Sequence, residues 1–246
     1  MTSKLRLLVL LLLTLVLSSS YAQMAPPQDL TQAISYFQKL WKTQVLYDFK
    51  NKPEGVAISS EDSKAGIWIR NNWIRGAGNP KLTNYFNSLG INHPDDISEI
   101  ILTSLHRHLN HRPIGLDKQI AHYKTYWKTI AECETHTKKI AVLHYNKFKV
   151  GDEVLIYMPV DMSNGKHNAI IYSCPTLGFK FNPKIDLMIR AKLLEKYTRN
   201  NMSNVFFKVR IIKLSRTDSQ ILMSEAKVGF SKELPLQGLK IEKATN

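Results

Sequence analysis

Apolar positions recur every three to four residues through the first half of the chain and every second residue through much of the second half. The first period predicts helices with one buried face; the second predicts strands with one dry and one wet face. Asp29 precedes "LTQAISYFQKLW", with Gln32 three residues on, which reads as a capping box opening a helix that buries Leu30, Ala33, Ile34, Phe37, Leu40 and Trp41. "NKPEGVAISSEDSK" is polar and turn-rich and predicts a loop. A second helix is expected over residues 65–73, stopping at "GAGN". Asn79 and Pro80 then suit the N-cap and first position of a third, whose stripe is Leu82, Tyr85, Phe86 and Leu89 and whose stop is Gly90. Asp96 is expected to cap a fourth helix with Ile97, Ile100, Ile101, Leu105, His108 and Leu109 inside, ended by Asn110 and Pro113. Asp117 opens a fifth with Ile120, Tyr123 and Trp127.

"FKVGDEVLIYMPV", "HNAIIYS", "DLMIRAKLLEKY", "VFFKVRIIKL" and "QILMSEAKVGF" are β-branched, aromatic or alternating, with turn clusters between them. The fold class expected is α+β: a helical bundle of about five helices over residues 23–128, a linker over 129–138, and a small antiparallel barrel or sandwich over 139–246.

The N-terminus changes the picture. Lys4 and Arg6 precede an eleven-residue apolar run, Leu7–Leu17, and Ser20 and Ala22 stand at the −3 and −1 positions of a small-residue cleavage site. This is the pattern of a signal peptide over residues 1–22. The run is shorter than the roughly 20 residues a spanning helix needs, and no later stretch is apolar enough, so no transmembrane segment is expected after cleavage. The expected location is secreted or periplasmic. An oxidising compartment permits a disulfide, yet sequence alone leaves open whether Cys133 and Cys174 pair.

The formal charge is +14. Residues 23–128 hold 13 Lys/Arg against 9 Asp/Glu, and residues 129–246 hold 19 against 11, so the excess leans to the second half. A basic exported protein meets anionic envelope polymers and lipid headgroups before nucleic acid, so no nucleic-acid partner is expected, although scattered lysines also serve simply to keep a protein soluble. Phe206, Lys208, Arg210 and Lys213, with Tyr197 nearby, form a candidate basic aromatic surface, although the same alternation is that of an ordinary solvated strand face.

"GIWIRNNW", "LTNYFNSLGINHPDDISEIILTSLHRHLN" and "LDKQIAHYKTYW" together resemble an uncharacterised bacterial family, a domain of unknown function in exported proteins. Its motifs are a W-I-R-N-N-W helix, an H-P-D-D-[MI]-S turn and an I-I-L-x-S-x-H-R helix, and the resemblance spans Gly66 to Trp127. Ile74, Arg75 and Gly76 stand where relatives often have Gly-Leu-Trp. The resemblance implies a bacterial source and supplies no catalytic residues.

Two sets of residues carry candidate chemistry. Trp68, Arg70, Asn71, Asn72 and Trp73 form either a polar binding patch or the anchor and end-cap of a helix; Arg70 points away from the face shared by Ile69 and Trp73. His93, Asp95, Asp96 and His106 are the residues an acid–base catalyst would use, set against helix capping at "HPDD" and a core histidine in "HRHLNH". His106 and His108 fall on different helix faces, and neither cysteine has a neighbouring ligand, so no metal and no cofactor is expected. No nucleophile elbow, zincin motif or phosphate loop is present in the sequence. The function this suggests is a non-enzymatic exported protein that binds an envelope protein or anionic polymer. The alternatives are an extracytoplasmic hydrolase using His/Asp chemistry and a structural component of an envelope assembly. Oligomeric state is left open.

Overall fold

The computed structural model describes residues 24–245, apart from residues 77, 164–165, 172–173, 175–178 and 217. The expected signal peptide lies outside the described residues. The chain divides between Thr125 and Tyr126 into two compact units, the first helical and the second rich in strands.

In the helical unit, α1 (Leu30–Leu40), α2 (Thr43–Asn51) and α3 (Glu54–Glu61) follow one another closely. The helix of α3 continues through a π-helical turn (Asp62–Gly66), the short α4 (Ile67–Ile69) and a second π-helical turn (Arg70–Ile74). α5 (Pro80–Ser88) and α6 (Pro94–Leu109) come next, and α7 (Leu116–Lys147) runs across the division. Among the described residues there are seven helices where about five were expected. The expected loop over residues 51–64 is largely helical. Of its apolar residues Ala57 and Ile58 are buried while Val56 is exposed, so packing rather than a strong apolar stripe holds it. Residues 129–138, expected as a linker, are a stretch of α7.

Local signals set most of the helix starts. The Asp29 carboxylate accepts the Gln32 N–H at 2.8 Å, while the Gln32 side chain reaches back to the Gln28 N–H. Asn79 caps α5 and also donates its side-chain amide to the Pro27 carbonyl. At α6 the cap differs from expectation. Pro94 takes the first position, His93 is the N-cap, and Asp95 and Asp96 lie in the first turn, where the helix dipole favours negative charge. α6 is the centre of this unit: Ile97, Ile100, Ile101, Leu102 and Leu105 are fully buried.

In the second unit, a five-stranded sheet runs in the order β8-β5-β4-β1-β9, formed by Glu153–Met158 (β1), Leu187–Arg199 (β4), Asn201–Leu214 (β5), Ser231–Pro235 (β8) and Lys240–Lys243 (β9). A smaller sheet runs β2-β3-β6-β7, from Val160–Ser163, Lys166–Ala169, Ser219–Ile221 and Ser224–Glu225. All pairs are antiparallel except β3 with β6. Of the expected barrel or sandwich, the barrel is corrected: among the described residues the strands form two sheets and neither closes on itself. One core takes residues from both sheets together with Ala141 and Phe148. Cys133, buried on α7, is bonded to Cys174, with Cα atoms 5.7 Å apart. That settles the pairing the sequence left open.

Candidate functional site

The "GIWIRNNWIRGAGN" stretch is built by the second π-helical turn. There the Arg75 N–H reaches the Arg70 carbonyl, five residues back, at 2.8 Å. The wider turn carries Arg70 inward beside Ile69 and Trp73, against the expectation from an α-helical wheel that it points away. Arg70 is 7% exposed and Trp73 4%. The guanidinium Nε–H meets Asp95 Oδ1 at 2.9 Å, and NH1 donates to Ser98 Oγ at 2.8 Å. Ser98 in turn donates to the Asp95 carbonyl at 2.8 Å. The buried arginine thus binds the W-I-R-N-N-W helix to the first turn of α6.

The rest of the stretch is divided in role. Asn72 donates its amide to the Trp68 carbonyl, and Asn71 accepts from Arg75; both are exposed. The Trp73 carbonyl accepts the Asn79 N–H at 2.7 Å and lies so near Gly78 that a Cβ there would come within 2.8 Å of it. A glycine is therefore required at residue 78 for the chain to turn back into α5. Trp68, Arg70, Asn71, Asn72 and Trp73 do not converge on one surface. Trp68 faces an opening.

That opening is an apolar groove of about 250 Å³ lined by Phe37, Leu40, Trp41, Val45, Lys64, Ala65 and Trp68. Its wall belongs to a chain of ring contacts. Trp68 meets Trp73 edge-on at 5.2 Å and stacks on Tyr36 at 6.2 Å; Phe37 meets Trp41 at 5.1 Å; Trp41 meets Phe49 at 5.3 Å. Leu40 is 46% exposed and Val45 41%. The lip of the groove therefore leaves large apolar side chains in water. The sequence held one sign of it: "YFQKLW" carries more apolar residues than one helical stripe can bury.

The acid–base candidates are engaged elsewhere. His93 Nδ1 accepts the Asp95 N–H at 3.3 Å and lies 3.7 Å and 4.0 Å from the Asp95 and Asp96 carboxylates. Asp95 is committed to Arg70, and Asp96 is buried. His106, more than two turns along α6, is 2% exposed. Its Nε2 contacts the Lys52 carbonyl at 3.0 Å and its Nδ1 contacts the Arg112 guanidinium at 3.0 Å. A carbonyl only accepts and a guanidinium only donates, so Nε2 carries the proton and Nδ1 receives one. His108, expected inside, is exposed. At this end of α6 the face covered by α2 and α3 is the one bearing Leu102, His106 and Asn110, whose amide donates to the Lys50 carbonyl.

Beside His106 lies an ion-pair cluster that sequence reasoning missed, because its partners are 53 or more residues apart. Arg107 makes a two-pronged bond to Glu54, at 2.8 Å and 3.1 Å, and Arg112 meets the same carboxylate at 3.0 Å. Arg107 also donates to the Ile114 carbonyl at 2.7 Å. The Arg107 hydrogen bond, reinforced by the charges of Arg107 and Arg112, holds the Glu54 carboxyl below its usual range despite partial burial. The same bond pushes Arg107 up. Glu54 and Arg107 border a polar cleft of about 290 Å³ shared with Thr103, Lys118, Gln119, His122 and Tyr123. Neither the groove nor this cleft is lined by His93, Asp95 or Asp96. Among the described residues no group of three or more His, Cys, Asp or Glu side chains is placed to hold a metal ion.

The site thus defines a class: a small helical domain in which a buried arginine pairs with a half-exposed aspartate, with an aromatic groove open on one side. Residues 26–109 match the model of a family described as a domain of unknown function (DUF6794). The match runs from the segment before α1 to the end of α6, so it holds the groove, Arg70 and Asp95, but not α7 or the strands. No curated protein and no solved structure matches the chain.

Proposed function

We propose that the protein is an exported, non-enzymatic binding protein whose helical unit takes an envelope protein in the aromatic groove. The observation that carries this reading is the groove itself. Trp68 and Trp41 form a rigid aromatic wall, and Leu40 and Val45 stay exposed at its lip. Contiguous exposed apolar surface beside anchored Trp is the usual composition of a protein-binding site. The N-terminal segment supports export, and so does the Cys133–Cys174 disulfide, since such bonds persist in oxidising compartments. The histidines and aspartates a hydrolase would need serve as a cap, an ion-pair partner and a buried hydrogen-bonding ring, which favours binding over catalysis. Photo-crosslinking from a position on the lip of the groove tests the reading.

A further inference from the structure

The outer face of the five-stranded sheet sets like charges opposite one another. Lys192 on β4 stands across from Arg210 on β5, and further along the same strands Arg190 stands across from Lys213. Ile189, Ala191, Leu193, Val209 and Ile211 are buried, so Arg190, Lys192 and Arg210 between them face away from the core. Lys213 is exposed beside Arg190, where a bulge shifts the register. One carboxylate enters the cluster: Glu153 on β1, opposite Lys192, which bonds Arg190 at 2.7 Å. On its other side Arg210 faces Ser231 of β8. Lys192, Arg210 and Lys213 have no ion-pair partner among the described residues. Further along the face the charges are balanced: Lys208 lies 3.8 Å from Glu195, and Arg199 lies 2.9 Å from Glu233.

Like charges directly opposite each other destabilise a sheet, and a neutral β-branched residue would suit each exposed position better. The Glu153–Arg190 bond offsets this repulsion at one position, and among the described residues Lys192, Arg210 and Lys213 remain uncompensated. We infer that this face binds a linear polyanion whose charged groups recur along its length. Cations two residues apart on one strand face are about 7 Å apart, and those on neighbouring strands about 5 Å. With Arg190 bonded to Glu153, and Lys213 set three residues from Arg210 by the bulge, Lys192, Arg210 and Lys213 make a spread of three uncompensated cations that a single small anion does not span and a chain of phosphodiesters does. Arginine supplies a planar fork for oxyanions and lysine an adaptable point charge. The inference concerns the strand-rich unit and does not depend on the groove, so either can fail while the other stands.

The test is equilibrium binding of the purified mature chain to poly(glycerol phosphate) at low salt. Monomeric glycerol phosphate at the same phosphate concentration and vesicles containing phosphatidylglycerol are the comparison arms. The polymer is expected to bind, the monomer not to bind, and added salt to release the polymer. Lys192→Thr with Arg210→Thr should weaken binding by about tenfold or more while Tm holds or rises. Lys128→Gln with Lys138→Gln removes the same charge from helix positions that have acidic neighbours and should leave binding unchanged. No binding to the polymer overturns the inference, as does equal binding of the monomer, binding to the vesicles alone, or an equal loss in the helix variant.

Discussion

Arg70 shows how one residue's surroundings set its role. It stands between two tryptophans in a string that reads either as a ligand grip or as a helix anchor. The π-helical turn that begins at Arg70 rotates it onto the buried side, where Asp95 and Ser98 receive it. No periodicity rule based on 3.6 residues per turn reports that rotation, so the direction of this side chain was not legible in the sequence. Arg70→Ala should cost about 2–3 kcal/mol in urea unfolding, less than a fully buried pair because Asp95 is half exposed. Arg70→Lys should recover only part of that, since one ammonium cannot reproduce the fork. His106 and His108 carry the same lesson, because which of two neighbouring histidines is buried depends on what packs against the end of α6. Glu54 gives a pH signature. Its folded carboxyl lies below the unfolded value of about 4.3, so its contribution is fully present above that pH and is lost as pH falls towards the lowered native value. Unfolding followed from pH 6 down to pH 3 should show this loss in the native chain. Glu54→Gln should start less stable and show a shallower fall.

At the scale of elements, the helices with strong caps and stripes were legible, and so were the long strands of the larger sheet. α5, with Asn79, Pro80 and Gly90, lies where those residues indicate. The alternation of β4 and β5 predicts which of their side chains are buried. α2, α3 and the π-helical turns were not legible, because their burial comes from neighbours rather than from a stripe of their own. The barrel expectation failed for a related reason. Strand pattern identifies faces but not partners, and nothing in "HNAIIYS" announces a parallel pairing of β3 with β6. The Cys133–Cys174 bond ties positions 41 residues apart. Replacing both cysteines by serine should lower the stability of the strand-rich unit by about 2–4 kcal/mol, read as a shift in the denaturant midpoint. Because Cys133 is 1% exposed, the native bond should resist reduction until the surrounding core opens.

Across the whole molecule, the N-terminal pattern, the basic charge and the two-part order of helices and strands were readable from composition and period alone. The groove was not, because it is assembled from α1, α2 and the helical run between α3 and α5. The same holds for the Glu54–Arg107–Arg112 cluster, which joins distant parts of the chain. Among the described residues no helix is long and apolar enough to cross a membrane. The groove is the feature through which the helical unit is proposed to meet a partner protein. The direct measurement is photo-crosslinking in cells from a reactive residue at Val45, read as covalent adducts of the chain. The account predicts one discrete adduct with an envelope protein, lost in Leu40→Glu and in Trp68→Ala variants that still unfold cooperatively. Absence of any adduct, or an adduct unchanged by both substitutions in a folded chain, would contradict it.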